Sequence, residues 1–254
     1  MQANRDNIKT LFQDSNVTVG DAAARMPAIK AAFEKVGLDY CCGGSRNLQA
    51  EMQQHGITLA QLIEAMEQTT SDSSGETHRD WTAAPLTELI EHILATHHTF
   101  MKRELPRIGH LLTKVTAAHG QQHGPMLHEL ANTFQGMREE IEQHLFKEEE
   151  ILFPMIVSIE AFLAGNAERP ISHCGTVLNP IRQMEHEHES AGQALVRMRE
   201  LTHNYQLPED ACMTFGTLYE TFDTMEKDLH EHIHLENNIL FPAAVEREST
   251  MTGA

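Results

Sequence analysis

Two stretches of eleven residues constrain this chain more than any other feature: HLFKEEEILFP, from His144 to Pro154, and HIHLENNILFP, from His232 to Pro242. They are separated by 88 positions, from 144 to 232 and from 148 to 236. Each carries His-x-x-x-Glu followed by an apolar run and a proline. Residues four apart lie on one face of a helix. Reading outward at intervals of three and four gives Leu130, Phe134, Met137, Ile141, His144, Glu148, Ile151, Met155 in the first copy. The second copy gives Leu218, Phe222, Met225, Leu229, His232, Glu236, Ile239, Ala243. A third apolar stripe runs Ile181, Met184, His188, Ala191, Leu195, Met198. Such stripes are core seams of a helical bundle. The His and Glu residues therefore stand in line with the core. A carboxylate placed there without a compensating charge is very costly.

Four long helices follow, at about 85–117, 125–156, 180–203 and 209–246. Asn179-Pro180 and Leu207-Pro208 read as start signals. Pro154 and Pro242 read as stops or bends near the ends of the second and fourth helices, and Pro106 as a kink in the first. Strand signals are nearly absent. Before the bundle, TTSDSSGETHRD, Thr69–Asp80, reads as a linker. It divides a small helical domain, residues 1–75, from the bundle, residues 76–254. Short helices are expected in the first part at Val19–Met26, Ile29–Val36, Leu48–His55 and Leu59–Met66.

In the first long helix, LIEHILATHHTFMKREL offers His92, His97 and His98. One seam runs Leu94, His98, Met101, Leu105, and another Ile90, Leu94, His97, Met101. Periodicity leaves both open. Glu149, Glu150, His186, Glu187 and His234 fall off the seams and read as solvated. A lone seam histidine is ordinarily a hydrogen-bonded core residue. Two copies of His-x-x-x-Glu at matching positions, with His188 on a third seam, point instead to a shared metal centre. The set of imidazole and carboxylate without thiolate suits Fe, Mn or Zn, and Glu/His constellations in four-helix bundles hold metal pairs. On this reading each helical hairpin brings one ion.

The small domain contains DYCCGG, Asp39–Gly44. The adjacent Cys41 and Cys42, followed by two glycines, suggest a redox or metal-handling turn. Cys174 and Cys212 carry no such context. The formal net charge is −18, with 19 Lys+Arg against 37 Asp+Glu. That excludes a general nucleic-acid binder. No apolar run approaches the length of a membrane span, and the polar first residues do not read as a secretory leader. A cytoplasmic protein is expected.

DYCCGG, a linker, then HLFKEEEILFPMI, MEHEHESAG and HIHLENNILFP together resemble the repair-of-iron-centres family. The resemblance spans about Val17–Val245. It implies an all-α fold, a hemerythrin-like up-down four-helix bundle with a small N-terminal helical domain. It also implies two non-haem iron ions held by His98, His144, His188 and His232, with Glu148 and Glu236 as bridges. The helix-A choice falls to His98 on the family pattern. Cys41 and Cys42 become possible redox or iron-transfer thiols. The implied function is repair of iron–sulfur clusters damaged by nitrosative or oxidative stress, through iron donation or removal of nitric oxide. A nitric-oxide-reducing enzyme and a non-catalytic oxygen or nitric oxide sensor are the alternatives. Damaged iron–sulfur proteins and a small diatomic ligand are the implied partners, with the chain a monomer or homodimer. Oxygen-carrying hemerythrins differ in helix C, where Gly192 here follows His188 by one turn and leaves room beside the metal.

Overall fold

A computed structural model describes residues 8–70, 79–170 and 174–253. The linker expected at 69–80 lies largely outside the described residues. The chain forms two compact units: Met1–Pro85 with Ile233–Ala243, and Leu86–His232 with Ala244–Ala254.

In the first unit, α1 spans Val19–Arg25. Thr18 caps it reciprocally: its hydroxyl accepts from Asp21 N at 3.0 Å, and Asp21 accepts from Thr18 N at 3.2 Å. A 3-10 turn at Pro27–Ile29 leads into α2, Lys30–Val36. Gly37, at φ 76, ends α2 in a left-handed conformation that glycine adopts without penalty. α3 spans Leu48–Gln54, capped by Asn47, and α4 spans Leu59–Thr70. Their apolar faces meet in a core that includes Val19, Ile29, Phe33, Leu48 and Leu62, all fully buried. The loop between α2 and α3 carries Asp39–Gly44.

In the second unit, α5 spans Leu86–Ile93 and continues through a π turn, Leu94–His98, into α6, Thr99–Lys147. A further π turn, Glu148–Leu152, leads into α7, Phe153–Leu163. α8 spans Leu178–Thr202. α9, Met213–Leu235, passes through a third π turn, Glu236–Leu240, into α10, Phe241–Gly253, and the stretch Ile233–Ala243 of this run belongs to the first unit. Among the described residues the only β pairing is the isolated bridge Thr18–Asn47.

α6 contains 49 residues, which as a straight rod would span roughly 73 Å. Yet His98 Nδ1 lies 2.7 Å from Glu149 Oε1, and Leu86 N donates to Glu160 Oε1 at 2.8 Å. A Cβ on Gly109 would approach Arg138 Nη1 to 3.3 Å. These pairs are all centred on His123–Gly124, so the helical chain doubles back there. The first two bundle helices form an antiparallel hairpin with no extended loop, and Pro125 opens its second arm.

The hairpins repeat beyond the two sequence copies. Glu160, on α7, accepts from the amides of Leu86 and Thr87 at 2.8 and 2.9 Å and so caps α5. Glu248, on α10, accepts from Val177 N at 2.9 Å and caps α8. These two carboxylates are again 88 positions apart. Phe134 and Phe222, at the same offset, meet edge to face with centroids 5.6 Å apart.

Several boundaries differ from the sequence reading. α8 begins at Leu178, ahead of Asn179-Pro180, because its free amide is satisfied by Glu248 rather than by the residue before the proline. The helices also continue beyond Pro154 and Pro242. Each proline stands in the first turn after a π segment, where no i−4 hydrogen bond is required of it. Pro106 lies within the helical run.

Candidate metal centre

The three π turns place the acidic and imidazole side chains. Leu94–His98 contains His98, Glu148–Leu152 begins at Glu148, and Glu236–Leu240 begins at Glu236. A π turn inserts one residue into the i, i+4 repeat, so the buried stripe shifts by one position at each. Ile93 and His98, five apart, are both buried. Past Glu148, Leu152, Phe153 and Ile156 are buried, whereas Ile151 is exposed. Past Glu236, Leu240 and Ala244 take the inward positions and Ala243 is half-buried. The expected seams through Ile151, Met155 and Ala243 are corrected accordingly.

Six of the sequence-selected side chains converge. His98, Glu148, His232 and Glu236 offer ligand atoms that all lie within 4.8 Å of one another, as do those of His144, Glu148, His188 and Glu236. All six are buried, and both glutamates are 0% exposed. Glu148 Oε2 lies 3.3 Å from His98 Nε2, and Oε1 lies 3.2 Å from His144 Nε2. His144 Nε2 and His188 Nε2 are 3.0 Å apart. Ligand atoms about 2.1 Å from a common ion stand roughly 3.0–3.4 Å from each other. The donor set and these separations fit bound metal of the iron type, and both glutamates belong to both groups. The grouping differs from one ion per hairpin: each group draws one histidine from each hairpin.

The imidazoles are oriented from behind. His98 Nδ1 donates to Glu149 at 2.7 Å, and Lys102 Nζ reaches the same carboxylate at 2.6 Å. His144 Nδ1 donates to Glu187 at 2.9 Å, and Lys147 also pairs with Glu187. With Nδ1–H so engaged, each Nε2 lone pair is directed into the centre. Burial disfavours the Glu187 anion, but the hydrogen bonds from His144, Lys147 and Gln183 outweigh it and hold its carboxyl at about 2. Burial likewise opposes ionisation of Glu149, and the bonds from Lys102 and His98 again hold it below the usual range.

Glu149 and Glu187 therefore do not belong to a solvated face. Both are partly buried because each carboxylate, just outside the seam, stands where the Nδ1–H of His98 or His144 points. His234 is also corrected: it is 1% exposed, packs edge-on to Tyr40 at 5.5 Å, and meets Asn238. Glu150 and His186 are exposed as expected. His97 is buried, stacks on His232 at 5.7 Å and pairs through Nδ1 with Asp228 at 3.0 Å, but joins neither ligand group. His92 lies near Thr96 on the exposed side. A small pocket opens beside His144 and His188, lined by Ile141, Ala191 and Leu229, among others. Ala191, rather than Gly192, borders it.

In the first unit, Asp39, Cys41 and Cys42 also bring ligand atoms within 4.8 Å of one another. Cys41 is buried and Cys42 half-buried, and neither is in a disulfide. The Cys42 sulfur beside it, together with burial, pushes the Cys41 thiol well above its ordinary value.

Sequence comparison agrees with this geometry. The family model described as the hemerythrin HHE cation binding domain matches residues 89–244. ScdA_N, a domain of unknown function, matches residues 15–70. The chain is 36% identical over 231 residues to the iron-sulfur cluster repair protein YtfE of Pectobacterium carotovorum subsp. carotovorum, covering 91% of this chain and 97% of that protein. It is 35% identical over 224 residues to a probable iron-sulfur cluster repair protein of Haemophilus influenzae, covering 88% and 94%. No helix among the described residues is long and apolar enough to cross a membrane. A doubled ligand pattern and likeness along some nine-tenths of the chain lead to one family: this protein belongs with the iron-sulfur cluster repair proteins that carry a hemerythrin HHE cation binding domain.

Proposed function

We propose that this chain is a di-iron protein that restores iron–sulfur clusters damaged by nitrosative or oxidative stress. The observation that carries the reading is the sharing of Glu148 and Glu236 by both ligand groups. His98 and His232 would hold one iron, His144 and His188 the other, and the two glutamates would bridge them. Two such irons, held by these residues, would supply exchangeable, redox-active metal. The chain's own residues do the rest. Glu149 and Glu187 fix the tautomers of His98 and His144 and raise their basicity. The buried surroundings keep bulk water from the carboxylate bridges.

Iron donation to a damaged cluster is the leading activity, with Cys41 and Cys42 as redox or iron-transfer thiols. The pocket beside His144 and His188 favours a second activity at the same centre, binding and reduction of nitric oxide. The decisive experiment is transfer of iron from the loaded chain to an apo iron–sulfur protein, with and without nitric oxide. Two irons per chain and restored cluster absorbance are expected, and both should fall in Glu148→Ala and Glu236→Ala. Full iron content in both variants would overturn the bridging assignment. Failure of the loaded wild-type chain to restore any cluster would overturn the repair reading.

A further inference from the structure

The turn between α2 and α3 is built more tightly than a loop requires. Asp39 Oδ1 accepts from Cys41 N at 3.1 Å and from Cys42 N at 3.0 Å. It also accepts from Cys41 Sγ at 3.3 Å. The two sulfurs stand 3.9 Å apart. One carboxylate thus gathers two successive thiols onto the same side of the backbone, although adjacent residues ordinarily point apart. Gly43 makes this possible: a Cβ there would meet Asp39 O at 2.8 Å and Asp39 Oδ2 at 2.9 Å.

These spacings have a specific meaning. Two thiolates bound at 2.3 Å to a tetrahedral ion are roughly 3.8 Å apart, and a thiolate and a carboxylate oxygen on the same ion roughly 3.5 Å. The observed edges, 3.9 and 3.3 Å, are close to both. The distance is far beyond the 2.05 Å or so of a sulfur–sulfur bond. Among the described residues, this is the one group outside the bundle whose ligand atoms converge in this way.

We propose that Asp39, Cys41 and Cys42 form a separate mononuclear site for one borderline divalent cation of the Fe2+ or Zn2+ class, with the fourth tetrahedral position open. On binding, the cation takes the place of the thiol proton that Cys41 directs at Asp39, and both thiol protons pass to solvent. No electron is transferred. Two thiolates and one carboxylate carry three negative charges against two positive, so the filled site is anionic and keeps a soft, exchangeable ion rather than a locked structural one. Three protein ligands with one vacancy is the pattern of sites that pass or process a ligand, whereas structural zinc is enclosed by four. The site stands whether or not the bundle holds iron.

The test uses the full chain with its bundle loaded with iron, kept anaerobic and reduced, and titrated with Co2+. One further equivalent per chain is expected, with a near-ultraviolet sulfur-to-cobalt charge-transfer band. The Cys41→Ser/Cys42→Ser double variant should lose the band. Asp39→Asn keeps an oxygen that accepts from the two amides, so the turn stays folded, but it removes the charge. It should weaken Co2+ binding tenfold or more. Gly43→Ala, which displaces the carboxylate, should do the same. Iron counted separately in each sample distinguishes this site from the bundle. Absence of the band in the wild-type chain, or its persistence in the double cysteine variant, would overturn the site. Unchanged affinity in Asp39→Asn would overturn the three-ligand assignment.

Discussion

Asn238 fills a notch whose walls are two glycines, and that arrangement makes a sharp prediction. Its Nδ2 donates to Tyr40 O at 3.1 Å and to Cys41 O at 3.4 Å, and lies 3.1 Å from His234 Nδ1. A Cβ on Gly44 would stand 2.1 Å from Asn238 Oδ1 and 2.7 Å from its Cγ, and one on Gly20 2.2 Å from the same Oδ1. Gly44 does not have the positive φ found at Gly37 and Gly56, so alanine there meets no backbone strain. Its only penalty is eviction of the Asn238 amide. That forfeits the bonds to Tyr40 O and His234 Nδ1, each contributing about 1 kcal/mol net, and the longer one to Cys41 O, which Asn237 Nδ2 still reaches at 3.5 Å. Gly44→Ala should therefore destabilise this unit by about 2–3 kcal/mol. Asn238→Ala loses the same bonds and should cost a similar amount. The two together should cost little more than either, a coupling of about 2 kcal/mol between contacting residues. Gly20→Ala should be rescued less fully in the Asn238→Ala background, because its Cβ also stands 3.0 Å from Gly44 O. The measurement is amide hydrogen exchange in α1 and α3, where about 2 kcal/mol corresponds to roughly 30-fold faster opening. Additive costs for Gly44→Ala and Asn238→Ala would refute the notch.

Four further outcomes are expected. Glu187→Gln and Glu149→Gln should each weaken metal binding about 10–100-fold in chelator competition, while the exposed Glu150→Gln should not. Cys212 is exposed, and hydrogen bonding to His119 lowers its thiol to about 7. Its alkylation rate should rise as pH increases through that value, because the thiolate is the reactive form above it, and His119→Ala should move the midpoint upward. His203 closes α8 in a left-handed conformation at φ 51, so His203→Gly should raise stability by about 0.5–1 kcal/mol in thermal unfolding. Phe222→Ala should cost about 3–5 kcal/mol through loss of the buried ring and its contact with Phe134.

The bundle was legible because its core positions obey helical spacing on both sides of the ligands, from Leu130 to Ile141 and from Leu218 to Leu229. The insertions at the ligands themselves were not. A π turn leaves no compositional trace, and nothing in LATHH, EEEIL or ENNIL distinguishes it from ordinary helix. It lets the buried His and Glu side chains and the apolar residues beyond them both face inward, which a regular 3.6-residue period does not allow. The same insertion explains why both helix-A seams break only at Leu94, which is half-buried, while Ile90, His97, His98, Met101 and Leu105 are buried: Ile93 and His98 are five apart, an interval that no regular template contains. Glu160 and Glu248 stayed hidden for a different reason. Each is one carboxylate among many until the amides it caps, more than seventy residues away in the chain, are brought to it.

The pairing of the ligands shows where sequence symmetry stops being informative. The repeat relates the second bundle helix to the fourth at an offset of 88 positions, and the first to the third at an offset of 90, from His98 to His188. Grouping His98 with His144 and His188 with His232 satisfies that two-fold relation. Grouping His98 with His232 and His144 with His188 satisfies it equally well, because the operation exchanges the two groups in either case. The repeat therefore cannot choose between them; only the lateral packing of the helices can. Packing selects the second arrangement, with both glutamates common to the two groups. This has a mechanical consequence that the first arrangement lacks. Each group needs one histidine from each hairpin, so neither hairpin alone can complete a ligand set, and a metal held there ties the two hairpins together. Withdrawing it leaves two fully buried carboxylates facing each other in a low-dielectric core without the charge that offsets them. The seam between hairpins is then where metal removal should loosen the bundle, and it is the lateral packing of the helices, not the repeat, that sets this line of opening.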